Sequence, residues 1–312
     1  MVNRTFWQYS VDPYDIFAYL VQNPRIPKAS IARKFNVNPK TGTLWWDAAV
    51  SKQIIRLPIF RRKSFLNFRE YFYFLNVEDP YSIYEELRTN TEGIMFYSVQ
   101  TGFSNFQIVT TKKITPPGDI VLTGERSDYY VSIPPNCSFE MSISLIKEKL
   151  SNIDKFNPTP SPLVYHDRVF EWDTVMEQIY QKLYNNFRRP IREILRTTDA
   201  YSDKVIEWIR NRDTFGDTII MYFPEGLPAY QPATYCIETE YQYDSLIIDL
   251  FSSFPVSTIF YRLHDKLMIS MFLPFALEGK KITRRILSVL RKKELVGKYT
   301  NSIDEYFNSP DV

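Results

Sequence analysis

The sequence predicts an α+β fold assembled from two copies of one unit, each a winged helix-turn-helix followed by a ferredoxin-like αβ domain. Three observations carry this. The chain repeats itself without a gap at an offset of 163 residues, so that Leu20 falls on Leu183, Arg25 on Arg188, Pro27 on Pro190, Ile31 on Ile194 and Trp45 on Trp208. Helix caps and prolines recur in the same order in both windows. Beyond each window, β-rich stretches alternate with short amphipathic helices, the pattern of an antiparallel sheet with helices on one face.

In the first window Asp12-Pro13 is a cap followed by a proline at the first helical position, and Ile16, Phe17 and Leu20 supply an apolar face. Asn23-Pro24 ends that helix. A second helix runs from about Lys28 to Phe35. Asn38-Pro39 then opens a third that reaches about Lys52, with Gly42, Trp46 and Ala49 on one face. The connection between the second and third helices is short, which is the helix-turn-helix pattern. A strand over 54–60 and a basic wing at Arg61-Arg62-Lys63 follow.

The boundaries expected are 1–66 for the first winged unit, 67–156 for its αβ domain and 157–168 for a proline-rich linker. The second winged unit takes 169–228, and the second αβ domain with a closing helix takes 229–312. In the first αβ domain strands are expected at 71–75, 94–99 and 106–110 around a helix at 81–87. The segment 114–152 is an insertion carrying either a core strand near 128–133 or a loop. In the second, strands fall at 234–239, 259–263 and 267–273, with helices at 245–251 and 283–295.

Bulk properties narrow the class. The chain of 312 residues has 44% hydrophobic and 24% charged residues and a net charge of +2. That suits a packed globular protein rather than a disordered one. Two isolated cysteines, Cys137 and Cys236, argue against a disulfide framework or zinc site and for a cytoplasmic location. The N-terminal stretch has no apolar signal region, and no membrane association is expected. No phosphate-cradling glycine motif is present. The two histidines, His166 and His264, have no partner at metal-ligand spacing, so no cofactor, metal or catalytic group is expected.

Charge is unevenly distributed. From Arg25 to Arg69 eleven basic residues stand against one acid, Asp47, whereas seven basic residues between 186 and 222 face six acids. Such a local excess suits a phosphate backbone. Lys40, Thr41 and Thr43 at the start of the third helix are the expected base-reading residues. Arg25, Lys28, Arg61, Arg62 and Lys63 are the expected phosphate contacts. The second copy, with Asp203 and Glu207 on its matching helix, is expected to serve dimerisation rather than reading.

The layout resembles the Lrp/AsnC transcription regulators. The motif residues are Val37-Asn38-Pro39-Lys40-Thr41 entering the third helix, and Ile54-Ile55 after it. The family's glycine before that apolar pair is Gln53 here, and its basic residue inside the helix is Trp45. The resemblance implies a DNA-binding transcription regulator with double-stranded DNA as partner, a homodimer, and a small-molecule effector. Siroheme decarboxylases share this architecture and bind a tetrapyrrole between two such units. That enzyme class, to which His264, the tyrosines and the arginines are suited, is the alternative, and a protein-interaction module is a third.

Overall fold

The computed structural model describes residues 11–89, 93–274 and 277–308. The chain divides into two compact units, each made of two separate stretches: Met1–Arg61 with Glu171–Ala229, and Arg62–Phe170 with Tyr230–Val312.

In the first unit helices α1 (Pro13–Gln22), α2 (Ala29–Lys34) and α3 (Pro39–Ser51) precede strand β1 (Ile55–Arg62), the last residue of which passes into the second unit. From the second stretch come α6 (Thr174–Leu183), α7 (Ile191–Arg196), α8 (Ser202–Asn211) and strand β7 (Gly216–Tyr222). Three helices and a strand therefore occur twice, and the starts of α3 and α8 are separated by the repeat offset of 163. The predicted caps are in place: Asp12 accepts from the Tyr14 N–H, Asn38 accepts from that of Lys40, and a proline follows each. Gly42 is required by packing, since a Cβ there would lie 2.7 Å from the Ala32 backbone nitrogen and force α2 away from α3.

The two strands pair with each other in a two-stranded sheet rather than each forming its own wing. This crosses the cores of the two copies. Ile220 and Tyr222 of β7 pack against Ile16, Phe17, Leu20 and Trp46 of the first helical set. In return, Phe60 of β1 packs on Phe187 at 5.6 Å and Trp208 at 4.9 Å of the second. Neither helical set closes its apolar face without the other's strand, so the repeat behaves as a fused pair.

The second unit holds β2 (Tyr71–Asn76), α4 (Pro80–Leu87), β3 (Ile94–Gly102), β4 (Phe106–Thr110), β5 (Asp119–Glu125), β6 (Tyr130–Val131) and α5 (Phe139–Ser151). Its later stretch adds β8 (Tyr230–Glu238), α9 (Asp244–Phe251), β9 (Ile259–Leu263), β10 (Lys266–Pro274), α10 (Leu277–Lys292) and β11 (Tyr299–Asn308). Nine strands form one sheet in the order β5-β2-β4-β3-β11-β8-β10-β9-β6. The neighbouring strands in this sheet pair antiparallel.

The two ends of that order, β5 and β6, are neighbouring segments of one chain stretch. An Arg126–Leu263 bridge and the Ser127 N–H to the Arg262 carbonyl continue the pairing between them. The sheet therefore curls until its edges meet, which satisfies edge groups that would otherwise be open to further pairing. Strand β11 makes this possible by joining β3 to β8. No strand is expected there from sequence, because 299–308 alternates weakly and carries Asp304 and Glu305 in its middle. The insertion resolves as β5, β6 and α5; instead of a core strand over 128–133, β6 is a half-buried two-residue strand at the end of the order, paired with β9.

The outer face of the sheet is apolar and covered. Tyr73, Leu75, Tyr97, Val99, Phe106 and Ile108 form a cluster there with Ile83, Tyr84 and Leu87 of α4. By alternation, the opposite face carries Phe72, Phe74, Phe96, Ser98, Gln100, Gln107 and Asp304.

Candidate functional site

The expected DNA-reading residues differ in what they touch. Arg25 donates to the carbonyls of Phe187 and Arg189. Burial, and then the neighbouring Arg188, lower its pKa to about 10. Lys28 pairs with Asp47 at 2.6 Å. Arg61 donates to the carbonyls of Phe60 and Tyr184, both at 3.0 Å. Arg62 is buried with its guanidinium 3.8 Å above the Phe68 ring, and it belongs with Lys63 to the other unit. The Thr43 hydroxyl donates to the Pro39 carbonyl at 3.0 Å within its own helix. Lys40 is exposed and Thr41 partly so, both in the first turn of α3.

Arg25 and Arg61 are thus engaged with main-chain carbonyls, and withdrawing them to reach phosphates would leave those acceptors without their donors. Of the basic excess of 25–69, Arg25, Arg61 and Arg62 are engaged within the fold.

A different constellation emerges on the inner face of the curled sheet. Asp304 of β11 accepts from Gln100 Nε2 at 2.6 Å and Ser98 Oγ at 3.0 Å. The same Gln100 nitrogen donates to Gln107 Oε1 at 2.9 Å, and Ser104 Oγ donates to Gln100 Oε1 at 2.9 Å. Withdrawal from water raises the Asp304 pKa, and the two side-chain hydrogen bonds oppose this only in part. Burial favours the protonated form of a carboxyl, whereas the hydrogen bonds it accepts favour the carboxylate.

Tyr261 of β9 faces the same interior. Its ring lies 4.7 Å from that of Phe72 and 5.6 Å from that of Tyr129. Burial first, then Tyr129, with smaller effects from Asp304 and Cys236, push its hydroxyl well above the usual phenol range. Strands β9 and β11 are separated in the sheet by β10 and β8, so electrostatic coupling of Tyr261 to Asp304 runs across the concave face. Phe96, Ser270, Phe272 and Asp304 keep partial exposure although they lie within strands. A sealed core would leave them none.

Both histidines lie in this unit but not on that face's hydrogen-bond chain. His166 Nε2 is 2.7 Å from Asp128 Oδ2, Asp128 Oδ1 accepts from the Ser64 N–H at 2.7 Å, and the imidazole stacks on Phe65 at 4.7 Å. His264 sits in an exposed turn at φ 53°, its N–H donated to the Tyr165 hydroxyl. Among the described residues, no group of three or more His, Cys, Asp or Glu side chains is placed to hold a metal ion. No helix among them is long and apolar enough to cross a membrane.

Sequence reasoning missed Asp304, Gln100, Ser98 and Tyr261 altogether. A signal was present in that each polar side chain interrupts an apolar strand at an inward position. Finding it requires knowing which strands are neighbours, and the pairing of β3 with β11 joins residues about 200 positions apart.

No family model matches the sequence, and a search of curated proteins finds no relative. Among solved structures, the crystal structure of the siroheme decarboxylase NirDL aligns with 95% of this chain and 91% of its own, at a TM-score of 0.46 and 11% identity. The same enzyme in co-complex with an iron-uroporphyrin III analogue aligns with 95% and 92%, at a TM-score of 0.45 and 11% identity. What these matches resemble is described as an enzyme rather than a regulator, opposite to the expectation of a non-enzymatic DNA-binding protein. At this level of similarity the likeness does not by itself assign a chemistry to this chain.

Proposed function

We propose that this chain is an enzyme acting on a tetrapyrrole-class small molecule held against the concave face of the curled sheet. The observation that carries the reading is Asp304, a carboxyl of raised pKa held by Gln100 and Ser98 in a strand-lined interior that keeps some exposure. A buried polar chain of this kind is costly unless it is used, and perturbed carboxyls in concave sites are candidates for acid–base work. Phe96, partly exposed on this face, offers flat apolar surface to a macrocycle.

Decarboxylation is the reaction that suits this equipment. As the bond from a side-chain carbon to its carboxylate breaks, carbon dioxide leaves and the electron pair stays on carbon. The protonated Asp304 carboxyl supplies the proton that pair takes up, and solvent reprotonates Asp304. Low local polarity helps by disfavouring the charged carboxylate of the reactant. In the same reading, each set of three helices and a strand is a winged helix of degenerate type, retained as a structural element.

The test is a visible-absorption titration with iron uroporphyrin III, followed by mass analysis of the recovered pigment. Saturable change in the Soret band with loss of carbon dioxide from the pigment is expected for the wild type. Asp304→Asn should keep the spectral change and lose the product. A wild-type protein that leaves the spectrum unchanged with ligand in large excess ends this reading.

A further inference from the structure

Helices α3 and α8 occupy equivalent places in the repeat, yet their exposed faces carry reversed charge. At the offset of 163, Lys40 corresponds to Asp203 and Asp47 to Arg210. All four residues are exposed. Between these charges α3 presents Leu44, 59% exposed, and α8 presents Ile206, 40% exposed, with Tyr201 at its start 67% exposed. Asp203, Ile206, Glu207, Arg210 and Asn211 line a shallow depression on α8. Among the described residues Lys40, Asp203, Glu207 and Arg210 have no ion-pair partner, whereas Asp47 has Lys28.

We propose that the α3 face of one chain docks along the α8 face of a second copy of this chain. Charge complementarity selects that occupant and its direction. The spacing from 40 to 47 equals that from 203 to 210, about 10 Å along a helix axis. With the two helices parallel, Lys40 meets Asp203 while the Lys28–Asp47 pair meets Arg210. Antiparallel packing would place like charges together at both ends. Leu44 then enters the depression beside Ile206 and covers apolar surface left in water in the single chain. A closed two-fold pair would have the partner's α3 dock on the first chain's α8 by the same contacts. The contact is independent of the inner face of the sheet.

The experiment is sedimentation equilibrium of the full chain at low and high salt. Wild type is expected to dimerise more tightly at low salt. Lys40→Glu and Asp203→Lys should each weaken the dimer by roughly tenfold, and the double variant should recover most of that loss. Circular dichroism of each variant checks that these surface changes leave the fold intact. A wild-type monomer at every concentration overturns the proposal, as does a dimer that Lys40→Glu leaves unchanged. Recovery of Lys40→Glu by Asp47→Lys instead of Asp203→Lys would mean that α3 pairs with α3, and overturns it equally. Asp304→Asn should dimerise as wild type, which keeps this result separate from the proposed enzymatic reading.

Discussion

Replacing Arg188 tests whether the basic residues of the first unit are structural. Arg188 donates to the carbonyl of Pro24 at 2.9 Å and that of Ile26 at 2.5 Å, and its guanidinium lies 4.5 Å over the Trp46 ring. Arg25, its equivalent in the repeat, does the reverse by donating to Phe187 and Arg189. Each arginine thus holds the residues flanking the other. Two hydrogen bonds from a charged donor contribute about 1.5–3 kcal/mol each, before the cost of desolvation and of mutual repulsion. That repulsion is real, since Arg188 is among the causes that lower the Arg25 pKa and burial lowers that of Arg188 itself. Setting about 1–2 kcal/mol against the hydrogen bonds leaves a net loss of about 1–5 kcal/mol for Arg188→Ala.

Urea unfolding followed by tryptophan emission reads this unit selectively, because Trp45, Trp46, Trp172 and Trp208 all belong to it. Arg188→Lys should lose nearly as much as alanine, since an ammonium cannot span two carbonyls as a guanidinium does. The double variant with Arg25→Ala should lose less than the sum of the singles, because each removal relieves the other's repulsion. A loss under about 0.5 kcal/mol for Arg188→Ala would refute the reasoning and return these arginines to the surface.

Three further outcomes follow from the same structure. Glu70→Gln should cost about 3–5 kcal/mol in chemical denaturation, because Arg126 is fully buried and its Nε lies 2.6 Å from Glu70 Oε2. Asp304 binds its proton more tightly in the folded than in the unfolded chain, so it lowers stability as pH rises through its folded pKa. Asp304→Asn should therefore flatten the fall in melting temperature between acid and neutral pH, and an unchanged slope would contradict the raised pKa. Gln53 adopts a left-handed conformation at φ 53°, so Gln53→Gly should raise the unfolding free energy of its unit by about 0.5 kcal/mol, the relief of strain exceeding the entropic cost of glycine.

Local structure was legible where a residue's own chemistry sets the backbone. Asp12-Pro13 and Asn38-Pro39 mark helix starts to the residue, and Gly42, Trp46 and Ala49 share a buried face as their spacing requires. Gln53 is instructive in a different way. It stands where the resembled family has glycine, and the chain keeps the left-handed turn there although the residue that favours it is gone. The backbone path is imposed by Leu227 N–H on the Gln53 carbonyl and by Phe223 N–H on that of Ile54, both from the other repeat.

What the sequence could not disclose was where its charges would be spent. A run of arginines reads the same whether it faces phosphate or carbonyl oxygen, and only the partner decides. Here the partners of Arg25 and Arg188 lie more than 160 residues away, at positions the repeat itself brings together. The second copy, expected to serve dimerisation, thus supplies the acceptors that occupy Arg25 of the expected reader. The same logic governs the candidate site: Asp304 is an ordinary strand acid until β11 is placed beside β3, where burial raises its pKa and the hydrogen bonds from Gln100 and Ser98 oppose that rise in part. In both cases an isolated charge acquired its role from strand and helix neighbours remote in sequence. Variants at those neighbours, Gln100→Leu above all, should therefore move the Asp304 titration as surely as changing Asp304 itself. With the Gln100 donor gone, the carboxylate loses its strongest stabilising hydrogen bond and its pKa should rise further. Infrared spectroscopy of the carboxyl stretch across a pH series would read that shift directly. A fall in its place would show that Gln100 does not hold the charged form.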